Sequence, residues 1–129
     1  MNASYQLGQQ GESLACEHYS RRGATIVERN WRFGRAEIDL IVLDKGELVF
    51  VEVKTRRNQS FGGGFEAIPP WKQRHLERAA TAYQQKHSSL YGELPVRFDV
   101  VVITFDESDP KSPTLEQLSD AWEARSDVG

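Results

Sequence analysis

Three residues in two neighbouring apolar runs have the types and spacing of a hydrolytic metal centre: Asp39, Glu52 and Lys54. The runs are EIDLIVL and LVFVEVK, and the tetrapeptide DKGE separates them. A glycine-containing tetrapeptide between strand-like runs predicts a β-hairpin. If the Lys-Gly pair forms a two-residue loop, Asp39 lies opposite Glu52, and Glu37 lies opposite Lys54.

Two carboxylates opposite each other on neighbouring strands repel, unless a positive charge lies between them. A divalent cation would remove this conflict, and oxygen ligands without Cys or His favour Mg²⁺ or Mn²⁺ over Zn²⁺. Lys54 could then hold a scissile phosphate or its attacking water. The alternative is a half-buried hairpin whose charged end is simply solvated.

The rest of the hairpin predicts one wholly aliphatic face. Side chains alternate along a strand, so every second residue of each run shares this face. Its members are Ile38, Leu40, Val42, Val49, Val51 and Val53.

A helix over residues 9–22, ended by Gly23, precedes the hairpin in the sequence. Glu12 lies on its apolar stripe with Ala15, Cys16 and Tyr19. A carboxylate at the end of an apolar stripe needs a partner; as a first-turn residue, it could instead interact favourably with the helix dipole.

The order of elements is helix, three strands, helix, strand. The second helix begins near Pro69-Pro70, and the last core strand covers residues 95–105. This order predicts a single α/β domain over residues 1–105, with a mixed central sheet flanked by helices. Residues 106–129 form an acidic tail with a short helix predicted near 114–125. Arg97 and Asp99 share one face of the last strand, which favours a structural ion pair.

The composition of the 129 residues, 39% hydrophobic and 27% charged, is typical of a soluble globular domain. A single cysteine excludes an intramolecular disulfide and a Cys-based zinc site. No stretch approaches the ~18 apolar residues of a membrane span, so we expect a cytoplasmic protein without a membrane partner. Residues 21–78 hold 12 Lys and Arg against 8 Asp and Glu, whereas residues 106–129 hold 2 against 7. A positive rim around an acidic pocket suits a phosphodiester substrate, although solvated charges could give the same balance.

An acidic residue followed by Glu-x-Lys resembles the signature of the PD-(D/E)XK nucleases. The segments RNWRFGRAEIDLIV, LVFVEVKTR, WKQRHLERAA and RFDVV are similar, in order and spacing, to the YraN-type family of small bacterial proteins. That family is grouped by resemblance with archaeal Holliday junction resolvases. The resemblance runs from about Gly8 to Ile103 and implies a restriction endonuclease-like fold.

The resemblance also implies roles for particular residues. Asp39 and Glu52 would bind the metal with the Val53 carbonyl and Glu12, while Lys54 would act on water and phosphate. Glu37 would bind a second ion or pair with Lys54, and the hairpin register favours the pair. Lys72 and Gln73 match a Lys-Gln pair that the family carries at the start of this helix. They resemble polar residues with which related nucleases orient the cleavage centre or contact the DNA backbone, although an ordinary solvent-facing turn would have the same sequence. Arginines near the motif are candidates for DNA contacts, or else solvate an edge strand: Arg32, Arg35, Arg56 and Arg57.

The implied activity is metal-dependent hydrolysis of phosphodiester bonds in DNA, with branched or single-stranded substrates. A junction-cutting enzyme needs two sites, so the resemblance also implies a homodimer. Two alternatives are a nucleic-acid-binding protein without cleavage and a protein-interaction module. The triple glycine of residues 62–64 could let a loop close on nucleic acid, with flanking phenylalanines stacking on a base. Trp71 stands where a basic residue is common in the family.

Overall fold

The structure is a computed structural model that describes residues 3–57, 68–106 and 108–122, leaving out the side chains of residues 3, 4 and 110. The glycine-rich segment 58–67 and its two phenylalanines therefore lie outside the described residues. The elements are, in chain order, α1 (Ala3–Arg21), β1 (Thr25–Phe33), β2 (Ala36–Asp44), β3 (Glu47–Arg57), α2 (Pro70–Lys86), α3 (Ser88–Tyr91), β4 (Val96–Asp106) and β5 (Asp109–Leu118). This order confirms the expected mixed α/β architecture.

The sheet has five strands in the order β1-β2-β3-β4-β5. All neighbours pair antiparallel except β3 and β4, which are parallel and are linked through α2. Asp44 pairs with Glu47 across a two-residue loop whose Lys45 and Gly46 both have positive φ, 51° and 82°. Two positive φ angles are the requirement of the tight hairpin turn that matches strand twist. The predicted hairpin register is confirmed from Asp44 to Leu40, which pairs with Val51.

The helix α1 packs on one face of the sheet through Ala15 and Tyr19. Most of the predicted aliphatic face lies under it, namely Leu40, Val42, Val49, Val51 and Val53. Ile38 is the exception, because it joins the core on the opposite face. The regular pairs end at Leu40, and beyond that point strict alternation does not hold. The helix begins at Ala3 rather than residue 9, and Gly23, with φ of 90°, follows its end as predicted.

The other face is covered by α2, whose buried residues repeat with helical spacing: Leu76, Ala79, Ala80 and Tyr83. They pack against Phe50, Phe98 and neighbouring aliphatic residues of the sheet. Pro70 is the first residue of the helix, where the missing amide hydrogen of proline costs no hydrogen bond. The sheet is thus covered by α1 on one face and by α2 on the other.

The predicted helix near 114–125 is wrong in its described part, because residues 114–118 belong to the edge strand β5. Leu115, Leu118 and Trp122 have helical spacing, but the contacts of this segment follow the two-residue period of a strand, through Leu115 and Gln117. Leu115 packs on the core beneath α1, and Gln117 donates to the carboxylate of Asp99. Beyond the strand, Trp122 stacks on Phe98 with ring centroids 4.8 Å apart. The described part of the acidic tail therefore completes the sheet and its core.

The expected ion pair between Arg97 and Asp99 is confirmed as the centre of a larger buried network. Arg97 also donates to Asp44 and Glu47 beside the hairpin turn. Asp99 is fully buried and accepts further bonds from the Tyr19 hydroxyl, Gln117 and the backbone amide of Asp120. Burial, followed by the negative charge of Asp99, raises the pKa of Tyr19, which keeps its hydroxyl a donor. This network ties α1, β4 and β5 together at the turn end of the hairpin.

No helix in the described part of the chain is both long and apolar enough to cross a membrane.

Candidate metal and phosphate site

The carboxyl groups of Asp39 and Glu52 meet at the end of the β2–β3 hairpin, just beyond the last regular pair. Both are buried, with 8% and 9% of their surface exposed. Asp39 comes from the strand that enters the turn and Glu52 from the strand that leaves it, so a two-residue loop fixes their proximity. The sequence-predicted pair is thus brought together by the structure.

Asp39 is held in place by the backbone of the neighbouring strand. The amide of Val53 donates to Oδ2 of Asp39 at 2.8 Å. Burial, and then the negative charge of Glu52, raise the pKa of Asp39 to about 8, against the opposing effect of the Val53 hydrogen bond. Without a cation, the Asp39–Glu52 pair therefore keeps a proton to a higher pH than two separate carboxyl groups would.

Glu52 carries the least satisfied polar atom of the site. Its Oε2 is buried and has no hydrogen-bond donor in the part of the chain that the structure describes. The ammonium of Lys72 lies 3.3 Å away, which is ion-pair distance, but its angle does not make a hydrogen bond. A buried carboxylate oxygen without a donor is costly, and it leaves a lone pair for another positive partner.

Lys54 follows Glu52 by two residues in a strand whose pairing with β4 is regular. Because side chains alternate along a strand, Lys54 and Glu52 lie on the same face. Lys54 is half-buried and forms no ion pair with any described carboxylate. Its ammonium is therefore not held by an acidic side chain in the part of the protein that the structure describes.

Glu12 projects from α1 and is near enough for its charge to contribute to the raised pKa of Asp39, although less than Glu52 does. It forms a long ion pair with Arg29, whose Nη2 lies 3.9 Å from Oε1 of Glu12. No three His, Cys, Asp or Glu side chains converge as a metal-binding group within the described ranges. The candidate ligands that the structure brings together are therefore Asp39 and Glu52, and the role of Glu12 stays a prediction.

A close contact between α1 and β3 sets the position of Glu12. A Cβ added at Gly11 would lie 2.1 Å from Oγ1 of Thr55, so only glycine allows this approach. Glu12, Val53, Thr55 and Arg57 line a cleft of about 460 Å³ beside the pair. Sequence reasoning missed Gly11, although a glycine inside a helix costs roughly 1 kcal/mol and so signals a packing reason.

The predicted pair of Glu37 with Lys54 is wrong. Glu37 lies opposite Arg32 on β1 and accepts from its Nε at 2.7 Å. The neighbour on β1 is directly paired with Glu37, whereas the β2–β3 pairing has already ended at Leu40. Arg32 is therefore committed to Glu37 in this structure.

Of the remaining predicted site residues, three arginines and Gln73 make no described contact with the carboxylate pair, whereas Lys72 does. Arg35 is exposed in the turn between β1 and β2, Arg57 lines the cleft beside Glu12, and Arg56 is half-buried on the same strand. Gln73 donates to the carbonyl of Ile68 at 2.8 Å, so it holds the entry into α2 rather than the carboxylate pair. Lys72, in contrast, reaches the pair directly.

The carboxylate pair fits a hard divalent cation. All its donors are oxygens, two carboxyl groups are buried together, and one oxygen lacks a hydrogen-bond donor. Mg²⁺ is commonly held by one or two carboxylates, with water and phosphate oxygens completing its shell. Two protein carboxylates are therefore a sufficient anchor.

Comparison with known proteins extends this description beyond one chain. The model of the uncharacterised protein family UPF0102 matches residues 11–103. The chain belongs to the UPF0102, or YraN-type, family.

Relatives from several bacteria match over almost the whole chain. A UPF0102 protein of Pseudomonas aeruginosa is 39% identical, covering 95% of this chain and 96% of the relative. One of Geotalea uraniireducens is 42% identical (91% and 89%), and one of Chlorobium chlorochromatii is 41% identical (94% and 94%). The family match spans the chain from the Gly11 contact through β3 and α2 into β4, and so includes every residue of the carboxylate site.

Proposed function

We propose that this UPF0102 protein is a metal-dependent endonuclease that hydrolyses phosphodiester bonds in DNA, with branched or repair intermediates as its substrates. The observation that carries the proposal is the buried Asp39–Glu52 pair, in which two carboxyl groups share a pocket and Oε2 of Glu52 lacks a donor in the described part of the chain. A purely structural pair of carboxylates would be destabilising without compensation.

Asp39 and Glu52 would hold Mg²⁺ or Mn²⁺, with the Val53 carbonyl as a further oxygen donor. When bound, such an ion polarises a phosphoryl oxygen and lowers the pKa of a coordinated water. The Val53 amide fixes one oxygen of Asp39, which pre-orients the other oxygen for the cation. Glu12 is close enough to add negative charge, but its carboxylate would join the site only through water or a small movement of its side chain.

Lys54 supplies the positive charge that phosphoryl transfer requires. Its half-buried ammonium lies on the face of Glu52 and has no described carboxylate partner, so it can stabilise charge that develops on the phosphate. Lys72 balances Glu52 in the metal-free protein. Once a cation takes over that oxygen, the Lys72 ammonium becomes free to contact the DNA backbone.

The experiment is a cleavage assay with the full chain on duplex, flap, four-way junction and single-stranded DNA, in Mg²⁺, Mn²⁺ or EDTA. We expect products only with a divalent ion, lost in Asp39→Ala and reduced by at least about 100-fold in Lys54→Met. Glu37→Gln is the matched control, since it removes a carboxylate of the same strand that the structure commits to Arg32. Thermal unfolding of each variant verifies that it is folded.

Three results would lead to other conclusions. DNA binding without products in any ion would indicate a non-catalytic binding protein, and neither binding nor products would favour an interaction module. Products that survive Asp39→Ala and Glu52→Gln would place the activity elsewhere. The implied homodimer is tested separately by sedimentation with and without junction DNA, where a monomer in both conditions would contradict it.

A further inference from the structure

The solvent-facing side of α2 carries an aromatic and basic stripe that the carboxylate chemistry does not use. Trp71, Arg74 and Arg78 follow one another at helical spacing and are all exposed. Trp71 is 57% exposed, although large aromatic side chains are on average mostly buried. The opposite side of the same helix forms the core, so the stripe is rigidly presented rather than part of a loose segment.

A second exposed aromatic lies across a cleft from the stripe. Phe33 is 47% exposed and stacks on Trp31, with ring centroids 6.1 Å apart and planes 8° from parallel. Phe33, Arg74 and Arg78 line the same cleft, whose volume is about 480 Å³. Two aromatic faces and two guanidinium groups thus lie along one surface.

The charges of this surface are open to an anionic partner. Neither Arg74 nor Arg78 forms an ion pair with a carboxylate in residues 3–57, 68–106 or 108–122. Glu77 also lines the cleft, but its Oε2 accepts from the indole of Trp122 at 3.0 Å. The acid is therefore engaged with the core, and the basic character of the cleft remains.

The stripe begins beside the candidate metal site. Trp71 is the chain neighbour of Lys72, whose ammonium reaches Glu52. Pro70 begins this turn, Gln73 ties it to the carbonyl of Ile68, and His75 packs edge-to-face on Trp71 at 5.5 Å. One fixed turn of helix therefore presents an ammonium to the carboxylate pair and an indole to solvent.

We propose that Trp71, Arg74, Arg78 and Phe33 form a track for single-stranded DNA that leads to the Asp39–Glu52 pair. The inference rests on the proposed function and names its substrate class: a strand with unpaired bases next to the cleavage position. Unpaired bases can stack on the indole and on Phe33 while the guanidinium groups contact phosphates. Bases inside a duplex are already stacked on each other and cannot use these aromatic faces.

The test measures binding of a fluorescein-labelled oligothymidylate and of a blunt hairpin duplex to the full chain in EDTA, so that cleavage does not interfere. Trp71→Ala should weaken single-strand binding by roughly 5- to 150-fold, which corresponds to the loss of one base–aromatic stack. Trp71→Phe keeps an aromatic face and should retain most of the affinity. Leu90→Ala is the apolar control, because Leu90 is exposed on α3 away from the stripe.

The arginines are tested by salt dependence. Arg74→Gln/Arg78→Gln should flatten the slope of log K against log salt by about 1.4, which corresponds to two phosphate contacts on a single strand. Lys45→Gln/Lys86→Gln removes the same charge from the hairpin turn and the far end of α2 and should leave that slope unchanged.

Failure of this inference differs from failure of the proposed function. If Trp71→Ala and the arginine double variant bind oligothymidylate like the wild type, or if the wild type binds none, the track is overturned whatever the cleavage assay shows. If the wild type binds the single strand through these residues but gives no metal-dependent products, the track stands and the nuclease proposal fails.

Discussion

The ammonium of Lys72 lies 3.3 Å from Oε2 of Glu52, although Lys72 belongs to α2 and Glu52 to β3. In the sequence, 19 residues lie between them. Lys72 partly balances a pocket that holds two acidic groups, so the metal-free protein already contains a weak substitute for a cation. A bound cation would compete with Lys72 for the same oxygen. This competition makes the energetics of the pair measurable without any nuclease assay.

Lys72→Gln should lower the stability of the metal-free protein by about 1 kcal/mol, because Glu52 loses the one ammonium that lies within ion-pair distance of it among the described residues. The same variant should bind Mn²⁺ about fivefold more tightly, since nothing then competes for Oε2. Calorimetric titration with Mn²⁺ and chemical unfolding in EDTA measure the two effects. Lys86→Gln, at the other end of α2, is the control, and equal Mn²⁺ affinity in Lys72→Gln and wild type would contradict the competition.

Asp39→Asn should stabilise the metal-free protein at pH 8 by about 2 kcal/mol while abolishing metal-dependent activity. The amide oxygen of Asn can still accept from the Val53 amide, and the repulsion from Glu52 disappears. Urea unfolding in EDTA, compared with Glu37→Gln, is the measurement. A large loss of stability in Asp39→Asn would mean that the carboxylate of Asp39 does not destabilise the metal-free protein.

The raised pKa of Asp39 predicts an unusual pH dependence of stability. The folded protein keeps a proton on Asp39 up to a pKa of about 8, whereas the unfolded chain releases it near 3.8. Between those values the folded state binds more protons than the unfolded state, so stability falls as pH rises, by at most ~1.4 kcal/mol per unit from this group. Unfolding in EDTA from pH 5 to 8 should show this loss, and Asp39→Asn should reduce it. An identical slope in both proteins would refute the assignment.

The hairpin and its pair of acids were predictable because local rules fix them. A two-residue turn with a glycine determines the register as far as the Leu40–Val51 pair, and Asp39 and Glu52 are the next residues outward on the two strands. The proximity of Asp39 and Glu52 could therefore be predicted without knowing the rest of the fold. The partners of Glu37 and Lys72 could not be predicted in this way. They depend on which elements pack together, and counting residues along one hairpin does not give that information.

The edge strand β5 shows a second reason for failure. Leu115, Leu118 and Trp122 have the spacing of a helix, yet Gln117 is placed by its bond to buried Asp99 and Leu115 by the sheet core. Tertiary hydrogen bonding and packing overrode a weak local pattern. Trp71 was visible in the sequence as a departure from the family, but its relation to Phe33 and the two arginines required the packing of α2 on the sheet.

The buried Arg97–Asp99 pair and the surface Arg32–Glu37 pair should differ sharply in their effect on stability. Arg97→Met leaves the fully buried carboxylate of Asp99 without its cation, and we expect a loss of about 3 kcal/mol. Arg32→Met removes a pair whose arginine is 78% exposed, and the loss should stay below about 1 kcal/mol. Urea unfolding of both variants at pH 7 is the comparison; similar losses would contradict the assigned importance of the network.

The Gly11–Thr55 contact predicts a change of sign between two genetic backgrounds. In the wild type, Gly11→Ala places a Cβ 2.1 Å from Oγ1 of Thr55 and pushes α1 off β3, so we expect a loss of about 1 to 3 kcal/mol. In Thr55→Ala the hydroxyl and methyl are gone, and the greater helix propensity of alanine, up to about 1 kcal/mol, should make Gly11→Ala neutral or stabilising. Urea unfolding of the four proteins in this double-mutant cycle measures the coupling. Because Glu12 follows Gly11, the wild-type-background variant should also bind Mn²⁺ more weakly if Glu12 contributes to the site. Equal destabilisation by Gly11→Ala in both backgrounds would mean that the approach of α1 to β3 is not limited by Thr55.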